Sequence, residues 1–275
     1  MMLSHDFEFL HGFFKQHSGY QLMKGKEYLL ESCLKDTMGK HKIPTFPELV
    51  QTLRDKKKMG LERDVIQAMT INETMFFRDN TPFEQLEKNI LPYLAKNAVN
   101  GKVTIWCTAC SSGQEPYSVA MMIMEQRHKY PGITFEILAS DISESMVARG
   151  QSGIYSDIEV QRNLPVALRD CYMTKDGATW RMKDALRHMI TFRAINLLQI
   201  PPDIGTFDLI MCRNVLIYFE AEHKTEVLDS LRKKARHPGF LLVGASEVLA
   251  GLCKSYRIHP EWRGVYQTQD FSASK

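Results

Sequence analysis

The chain lacks any apolar run long enough to cross a bilayer. The longest beside a helical stretch, VAMMIM at 119–124, falls far short of the roughly 20 residues a span requires. Its beginning, MMLSHDFEFLHGFF, carries Asp6 and Glu8 where a secretory signal needs basic residues and then unbroken apolar ones, so a cytoplasmic protein with no membrane insertion is expected. Charge of one sign is also scarce: 35 Lys and Arg against 32 Asp and Glu leave +3, without the dense basic footprint of a nucleic-acid partner. Cysteine is sparse and dispersed (Cys33, Cys107, Cys110, Cys171, Cys212 and Cys253), which fits reduced, mostly buried thiols rather than a disulfide framework. Cys107 and Cys110 form a C-x-x-C pair, but no second pair or spaced His pair completes four zinc ligands, so no metal is expected. Buried packing is the default for this pair and a redox role the alternative. With 44% hydrophobic and 24% charged residues, no repeat and no low-complexity tract, what remains is an ordinary globular chain of one large or two modest domains.

The pattern divides in two. Up to about residue 98 it is helical: Phe7, Leu10, Phe13 and Phe14 share one periodicity, and Tyr28, Leu29, Leu34 and Met38 continue it. FPELVQTLRD follows a capping Thr45, LERDVIQAMT comes next, and TPFEQLEKNILPYLAKN opens with a capping residue and a first-turn proline. These predict a helical domain over 1–80 and a connecting helix over 81–98. From Val103 short β-rich runs alternate with helices: VTIWC, ITFEILASD, MITFRAIN, FDLIMCRN and GFLLVGAS. That alternation predicts an α/β domain over 99–275 with a parallel sheet covered on both faces. YRIHPEWRGVYQTQ predicts an antiparallel hairpin at one edge. The stretch from about 163 to 190, where KDG lies between CYMT and TWRM, predicts a small inserted β-subdomain.

In an open α/β sheet, ligands sit outside the carboxyl ends of the strands, so the residues there carry the function. The first run ends in ACSSGQE, where small residues permit a tight turn, Gly113 can take positive φ, and Glu115 opens a helix. The second ends in Asp141, 26 residues after Glu115, at the place where a carboxylate accepts ribose hydroxyls. The third ends at Asn196 and the fourth at Asn214, whose amides suit an adenine or an amino-acid moiety. The first turn has no G-x-G-x-x-G, and an acid stands where a pyrophosphate would be repelled, which disfavours a dinucleotide. A ligand with a ribose, an adenine and a cationic tail fits, and S-adenosylmethionine has all three. Each residue alone also has a plainer explanation: Glu115 as a partner of the helix dipole, Asp141 as a helix cap, the two asparagines as turn residues.

Five separated stretches, NETMFFRD at 72–79, CTACSSGQEPYS at 107–118, ASDIS at 139–143, FRAINLL at 192–198 and CRNVLIYF at 212–219, together resemble the CheR family of chemotaxis receptor glutamate methyltransferases. The resemblance covers nearly the whole chain. It implies an all-α N-terminal domain, then a Rossmann-like methyltransferase sheet with a small inserted β-subdomain. The implied activity is transfer of a methyl group from S-adenosylmethionine, leaving S-adenosylhomocysteine, to glutamate carboxylates on the cytoplasmic helical bundle of chemoreceptors. By the same resemblance Asn72, Thr74 and Arg78 reach the cofactor from the linker, Ala109 and Gly113 lie in its turn, Glu115 takes its amino group and Asp141 its ribose. Ile142, Asn196, Leu197, Asn214 and Val215 take the adenine and tail, and Arg78 and Tyr218 serve the transfer. Ser143 stands where the family usually has another polar or acidic residue. The turn around Lys175–Ala178 is shorter than in members that dock on a receptor C-terminal pentapeptide, which implies that no such tether is required.

The helical domain holds Lys24, Lys26, Lys35, Lys40, Lys42, Arg54 and Lys56–Lys58, but over 1–70 the balance is 11 basic against 9 acidic residues, so a solvated face explains them as well as steering does. The resemblance assigns recognition of acidic receptor helices to this domain. Two other functions compete. A nucleic-acid methyltransferase on the same fold would want a more basic surface and an Asn/Asp-Pro-Pro-aromatic stretch where this chain has RNVLIYF. A non-catalytic S-adenosylmethionine-binding regulator would not need Arg78.

Overall fold

The structure, a computed structural model, describes residues 2–21, 27–56, 58–249 and 251–269. Lys24, Lys26 and Lys57, and the side chain of Leu29, lie outside the described residues. The chain forms two compact units, Met1–Ile71 with Tyr218–His223, and Asn72–Ile217 with Lys224–Lys275.

The first unit is helical: α1 (Ser4–Ser18), α2 (Glu27–Lys40), α3 (Phe46–Arg54) and α4 (Leu61–Met69). Helical spacing decides its core, with Leu10 and Phe14, Leu30 and Leu34, Leu49 and Leu53, and Leu61 and Val65 buried as i, i+4 pairs. The Thr45 hydroxyl accepts the Glu48 N–H and caps α3, with Phe46 and Pro47 opening the helix. Tyr28 was expected on the core face and is instead 67% exposed. It lies two residues before Leu30, about 200° around the helix, and so points away from the buried stripe.

The second unit opens with α5 (Asn80–Gln85), a π-helical turn over Leu86–Ile90 and α6 (Leu91–Lys96). Pro92 has no N–H for the carbonyl a turn earlier, and the helix widens just before it. Then follow β1 (Lys102–Thr108), α7 (Gln114–Glu125), β2 (Thr134–Asp141), α8 (Glu144–Ser152), β3 (Ile154–Ser156), α9 (Asp157–Gln161), α10 (Val166–Tyr172), β4 (Met173–Asp176), β5 (Thr179–Met182), α11 (Asp184–Arg187), β6 (Ile190–Ala194), β7 (Phe207–Cys212), α12 (Ala221–Lys234), β8 (Ala235–Val243), β9 (Tyr256–Ile258) and β10 (Val265–Thr268). Among the described residues the main sheet runs β6-β2-β1-β7-β8-β10-β9, parallel through β8 and antiparallel at β10 and β9. Ile105, Trp106 and Cys107 are consecutive and fully buried, so both faces of β1 are covered. The strand order reverses at β1, which opens a crevice between the carboxyl ends of β1 and β7.

Two expected boundaries move. The first unit ends at Ile71 rather than at residue 80, because Phe76 is fully buried in the core of the second unit and carries the linker with it. The small sheet, β3-β5-β4, begins at Ile154 rather than near 163, because Ile154–Ser156 pair with Thr179–Arg181 on the far side of the expected hairpin.

Candidate active site at the carboxyl ends of the strands

The turn after β1 is built from backbone that most residues avoid. Ala109 and Ser111 have φ of 49° and 48°, and Gly113 has φ of 93°. A Cβ on Gly113 would lie 3.0 Å from Gly150 Cα and 3.1 Å from the Tyr155 hydroxyl, so conformation and space both demand glycine there. The turn is tied down on both sides. The Ser111 N–H donates to Asp141 Oδ2 at 2.8 Å and its hydroxyl to the Asn72 carbonyl at 2.8 Å, while the Tyr155 hydroxyl donates to the Ser112 carbonyl at 2.7 Å.

Asp141 ends β2 almost fully buried. Its other oxygen accepts the Ser143 N–H at 2.9 Å, and Ser143 also caps α8. Burial pushes its carboxyl up, against the lowering by the backbone N–H groups of Ser143, Ser111 and Ile142. Three N–H groups on two oxygens leave one of about four lone-pair sites open, room for a ribose hydroxyl.

Glu115, in the first turn of α7, faces a guanidinium. Arg213 follows β7 directly, its side chain is 1% exposed, and its Nη1 donates to Glu115 Oε2 at 2.6 Å. The same arginine reaches the linker, where Nη2 donates to the Arg78 carbonyl and to Asp79 Oδ2 at 3.0 Å. Burial raises the Glu115 carboxyl, and Arg213 works against that rise. Phe77 and Asp79 have φ of 47° and 62°, so the linker is strained on both sides of Arg78. It is held by the Phe77 N–H donating to the Ser118 hydroxyl at 3.0 Å and by the Asn163 amide donating to the carbonyls of Phe76 and Phe77 at 3.0 and 2.9 Å. The Arg78 side chain donates to the Glu73 carbonyl at 2.8 Å.

Asn214 also has a left-handed backbone, φ 57°, and Glu247 holds it there. The buried Glu247 carboxylate accepts the N–H groups of Asn214 at 2.8 Å, Val215 at 2.9 Å and Ile217 at 3.3 Å, and also that of Gly244. A Cβ on Gly244 would lie 2.7 Å from Glu247 Oε2, so the end of β8 admits only glycine beside it. Asn196, after β6, accepts the Leu198 N–H on its side-chain oxygen at 3.0 Å, and Leu197 is buried. The structure thus ties Asn72, Asp141 and the Ala109–Gly113 turn into one group, Glu115 to the Arg78 backbone, and Asn214 to Val215. Thr74 is half-buried in the same linker and Ile142 directly follows Asp141. Tyr218 belongs instead with the first unit, its ring edge-on to Tyr20 at 5.4 Å.

Three residues of the site escaped the sequence reading: Arg213, Asp79 and Glu247. The available signal was charge in apolar company, since Arg213 stands inside FDLIMCRNVLIYF and Glu247 inside LLVGASEVL. Cys107 and Cys110 are free and buried, and burial pushes both thiols far up, as fits packing. Among the described residues no cluster of three His, Cys, Asp or Glu side chains could hold a metal, and no helix is long and apolar enough to cross a membrane.

The donor set matches a nucleoside with a cationic tail: carboxylates largely shielded from solvent after β1 and β2, amides after β6 and β7, and a turn with no room for a side chain at Gly113. Comparison with known proteins agrees. The CheR methyltransferase all-alpha domain matches residues 5–70, and the CheR methyltransferase SAM binding domain matches residues 72–263. The chain is 37% identical over 257 residues to the chemotaxis protein methyltransferase Cher2 of Pseudomonas putida, covering 92% of this chain and 94% of that one. It is 39% identical over 257 residues to chemotaxis protein methyltransferase 1 of Pseudomonas aeruginosa, covering 92% and 93%. To chemotaxis protein methyltransferase 1 of Vibrio cholerae it is 36% identical over 249 residues, 90% of each chain. With both domains matched in order, this chain belongs to the CheR family of S-adenosylmethionine-dependent methyltransferases.

Proposed function

We propose that this protein methylates glutamate side chains on the cytoplasmic helical bundle of chemoreceptors, forming methyl esters, and that it acts in the cytoplasm. The observation that carries this reading is the match of both family domains to proteins named as chemotaxis methyltransferases over more than nine-tenths of their length. The strand-end cluster supports it. Glu115 would hold the ammonium of the cofactor tail, Asp141 the ribose hydroxyls, Asn196, Leu197 and Ile142 the adenine, and Asn214 and Val215 the rest of the tail. Asn72, Thr74 and the Ala109–Gly113 turn close round them. Bound there, S-adenosylmethionine supplies a cationic sulfonium methyl.

A glutamate side chain has an ordinary pKa near 4.3, so the acceptor arrives as an anion and the protein needs no general base. What it must supply is alignment and exclusion of water. Arg78, paired with no carboxylate among the described residues, holds the acceptor carboxylate by charge; the family resemblance also gives Tyr218 a part in the transfer, as a neutral hydrogen-bond donor. An arginine that gripped the anion too tightly would favour the ground state. Its tie to the Glu73 carbonyl moderates that grip. The β4–β5 turn, with Asp176 paired to Thr179, leaves only Gly177 and Ala178 between the strands, in keeping with a receptor interaction that needs no C-terminal pentapeptide.

The test is transfer of labelled methyl to chemoreceptor-bearing membranes, followed by alkali. Label released as volatile methanol is the expected result; base-stable label would overturn the ester. Arg78→Ala is expected to slow single turnover about 100-fold, with cofactor affinity changed far less. An unchanged single-turnover rate would remove Arg78 from the transfer.

A further inference from the structure

We propose that Arg213 is a positioning residue for the methyl transfer, its buried guanidinium joining the cofactor's ammonium ligand Glu115 to the Arg78–Asp79 turn as one ionic unit. The proposal rests on the reading of Glu115 and Arg78 given above. It starts from an arginine that solvent does not reach: the side chain is 1% exposed, and its guanidinium carbon lies 5.4 Å from the centre of the Phe83 ring. Its planar fork spans acceptors on two segments, Glu115 Oε2 on one side and the Arg78 carbonyl and Asp79 Oδ2 on the other. A lysine, with one nitrogen, has no such fork. The Nε of Arg213 is buried without a partner, so the residue accepts an unmet donor in order to keep both arms where they are.

The charges give this unit a purpose. One buried guanidinium between the carboxylates of Glu115 and Asp79, side chains 12% and 35% exposed, leaves a single net negative charge, and that is what an incoming ammonium neutralises. Without Arg213, the Glu115 carboxylate loses its partner, and burial, which already raises its carboxyl, acts against less opposition. Arg78 also lowers Glu115 while Glu247 raises it, and the Cys107 and Cys110 thiols beside it stay neutral. The contact with the Arg78 carbonyl adds a mechanical role. It holds the residue between two left-handed neighbours, Phe77 and Asp79, and so sets where the Arg78 side chain starts.

Two ligands separate this role from simple support of the fold: S-adenosylhomocysteine, and 5′-methylthioadenosine, which has the same nucleoside but no amino-acid tail. Calorimetric titration of the full chain is expected to show Glu115→Gln and Arg213→Met each weakening S-adenosylhomocysteine at least tenfold while leaving 5′-methylthioadenosine within twofold. The double variant should be no more than about twofold weaker than the worse single one, since both remove the same interaction. Arg213→Met should also reduce single turnover at saturating cofactor, because it releases the Arg78 carbonyl. If Arg213→Met does not fold, Arg213→Lys serves in its place, with a selective loss of at least threefold for the tailed ligand. Equal weakening of both ligands by the Arg213 variant, or no weakening, overturns the proposal while a selective loss in Glu115→Gln keeps the reading of Glu115. If Glu115→Gln itself leaves the ratio of the two affinities unchanged, the reading of Glu115 falls and the proposal with it.

Discussion

The two ends of the parallel strands both carry ion pairs, but they handle them differently. At the amino end Asp208 accepts the Thr104 N–H at 2.7 Å and the Thr104 hydroxyl at 3.0 Å, and Arg236 Nη1 reaches both its oxygens at 2.9 and 3.0 Å. Lys102 pairs with Glu136 at 2.6 Å nearby, with both side chains well exposed. The turns there bend at Asn100, Gly101, Gly132 and Gly205, residue types for which positive φ is ordinary. At the carboxyl end Asp141, Arg213 and Glu247 are buried and Glu115 nearly so, and positive φ falls on Ala109, Ser111, Phe77 and Asp79 as well as Asn214. Left-handed backbone at Ala or Phe costs energy, and the bonds of Ser111, Phe77 and Asn163 hold the chain in it. One end of the sheet satisfies itself; the other keeps burial and strain in place for a ligand.

The comparison can be broken by substitution. The largest expected effect on stability is Arg213→Ala, which strands two carboxylates and should cost about 3–5 kcal/mol in chemical denaturation. Loss below about 1 kcal/mol would mean that solvent reaches the carboxyl end after all. Asp208→Asn should cost about 1–3 kcal/mol, because its partners stay in place and lose only part of their bonding. Its methyl-transfer activity at a temperature well below melting should match wild type. Lys102→Ala should shift stability by under about 1 kcal/mol, as exposed pairs do, and the shift should vanish in high salt.

Acid sharpens the same contrast. Burial raises the carboxyls of both Glu115 and Asp141. An ammonium is held only by the ionised Glu115, so affinity for S-adenosylhomocysteine should be full above its raised pKa and fall as the pH drops through it. That fall should begin at a higher pH than for an ordinary glutamate near 4.5. Stability has the opposite sign. A carboxyl that binds its proton more tightly in the folded protein than in the unfolded chain adds stability on acidification, so the contribution of these two groups should rise while binding declines. Titration calorimetry and thermal melts over one pH series would check both directions; affinity that holds constant below the ordinary glutamate range would contradict the first.

How much of this was legible beforehand follows from sequence distance. The strand runs are local, so their ends, and with them Glu115, Asp141, Asn196 and Asn214, could be placed from alternation alone. Arg213 is different: its carboxylate partners are 98 and 134 residues earlier in the chain, and nothing in CRN says which acids will meet it. Asn163, which ties down the linker from 86 and 87 residues away, lay equally beyond local pattern. The domain boundary moved because 72–80 and the helices before it share the same texture, and only the burial of Phe76 tells to which core they belong. The resemblance named candidate residues without Arg213, Asp79 or Glu247, while their mutual bonding came from the fold.

The most direct test of the account is titration of S-adenosylhomocysteine into wild type, Asp141→Asn and Asp208→Asn. Asp141→Asn should bind at least tenfold more weakly, about 1.4 kcal/mol or more, and Asp208→Asn within twofold of wild type. Equal losses in the two variants, or none in Asp141→Asn, would contradict the assignment of the cofactor to the carboxyl ends of the strands.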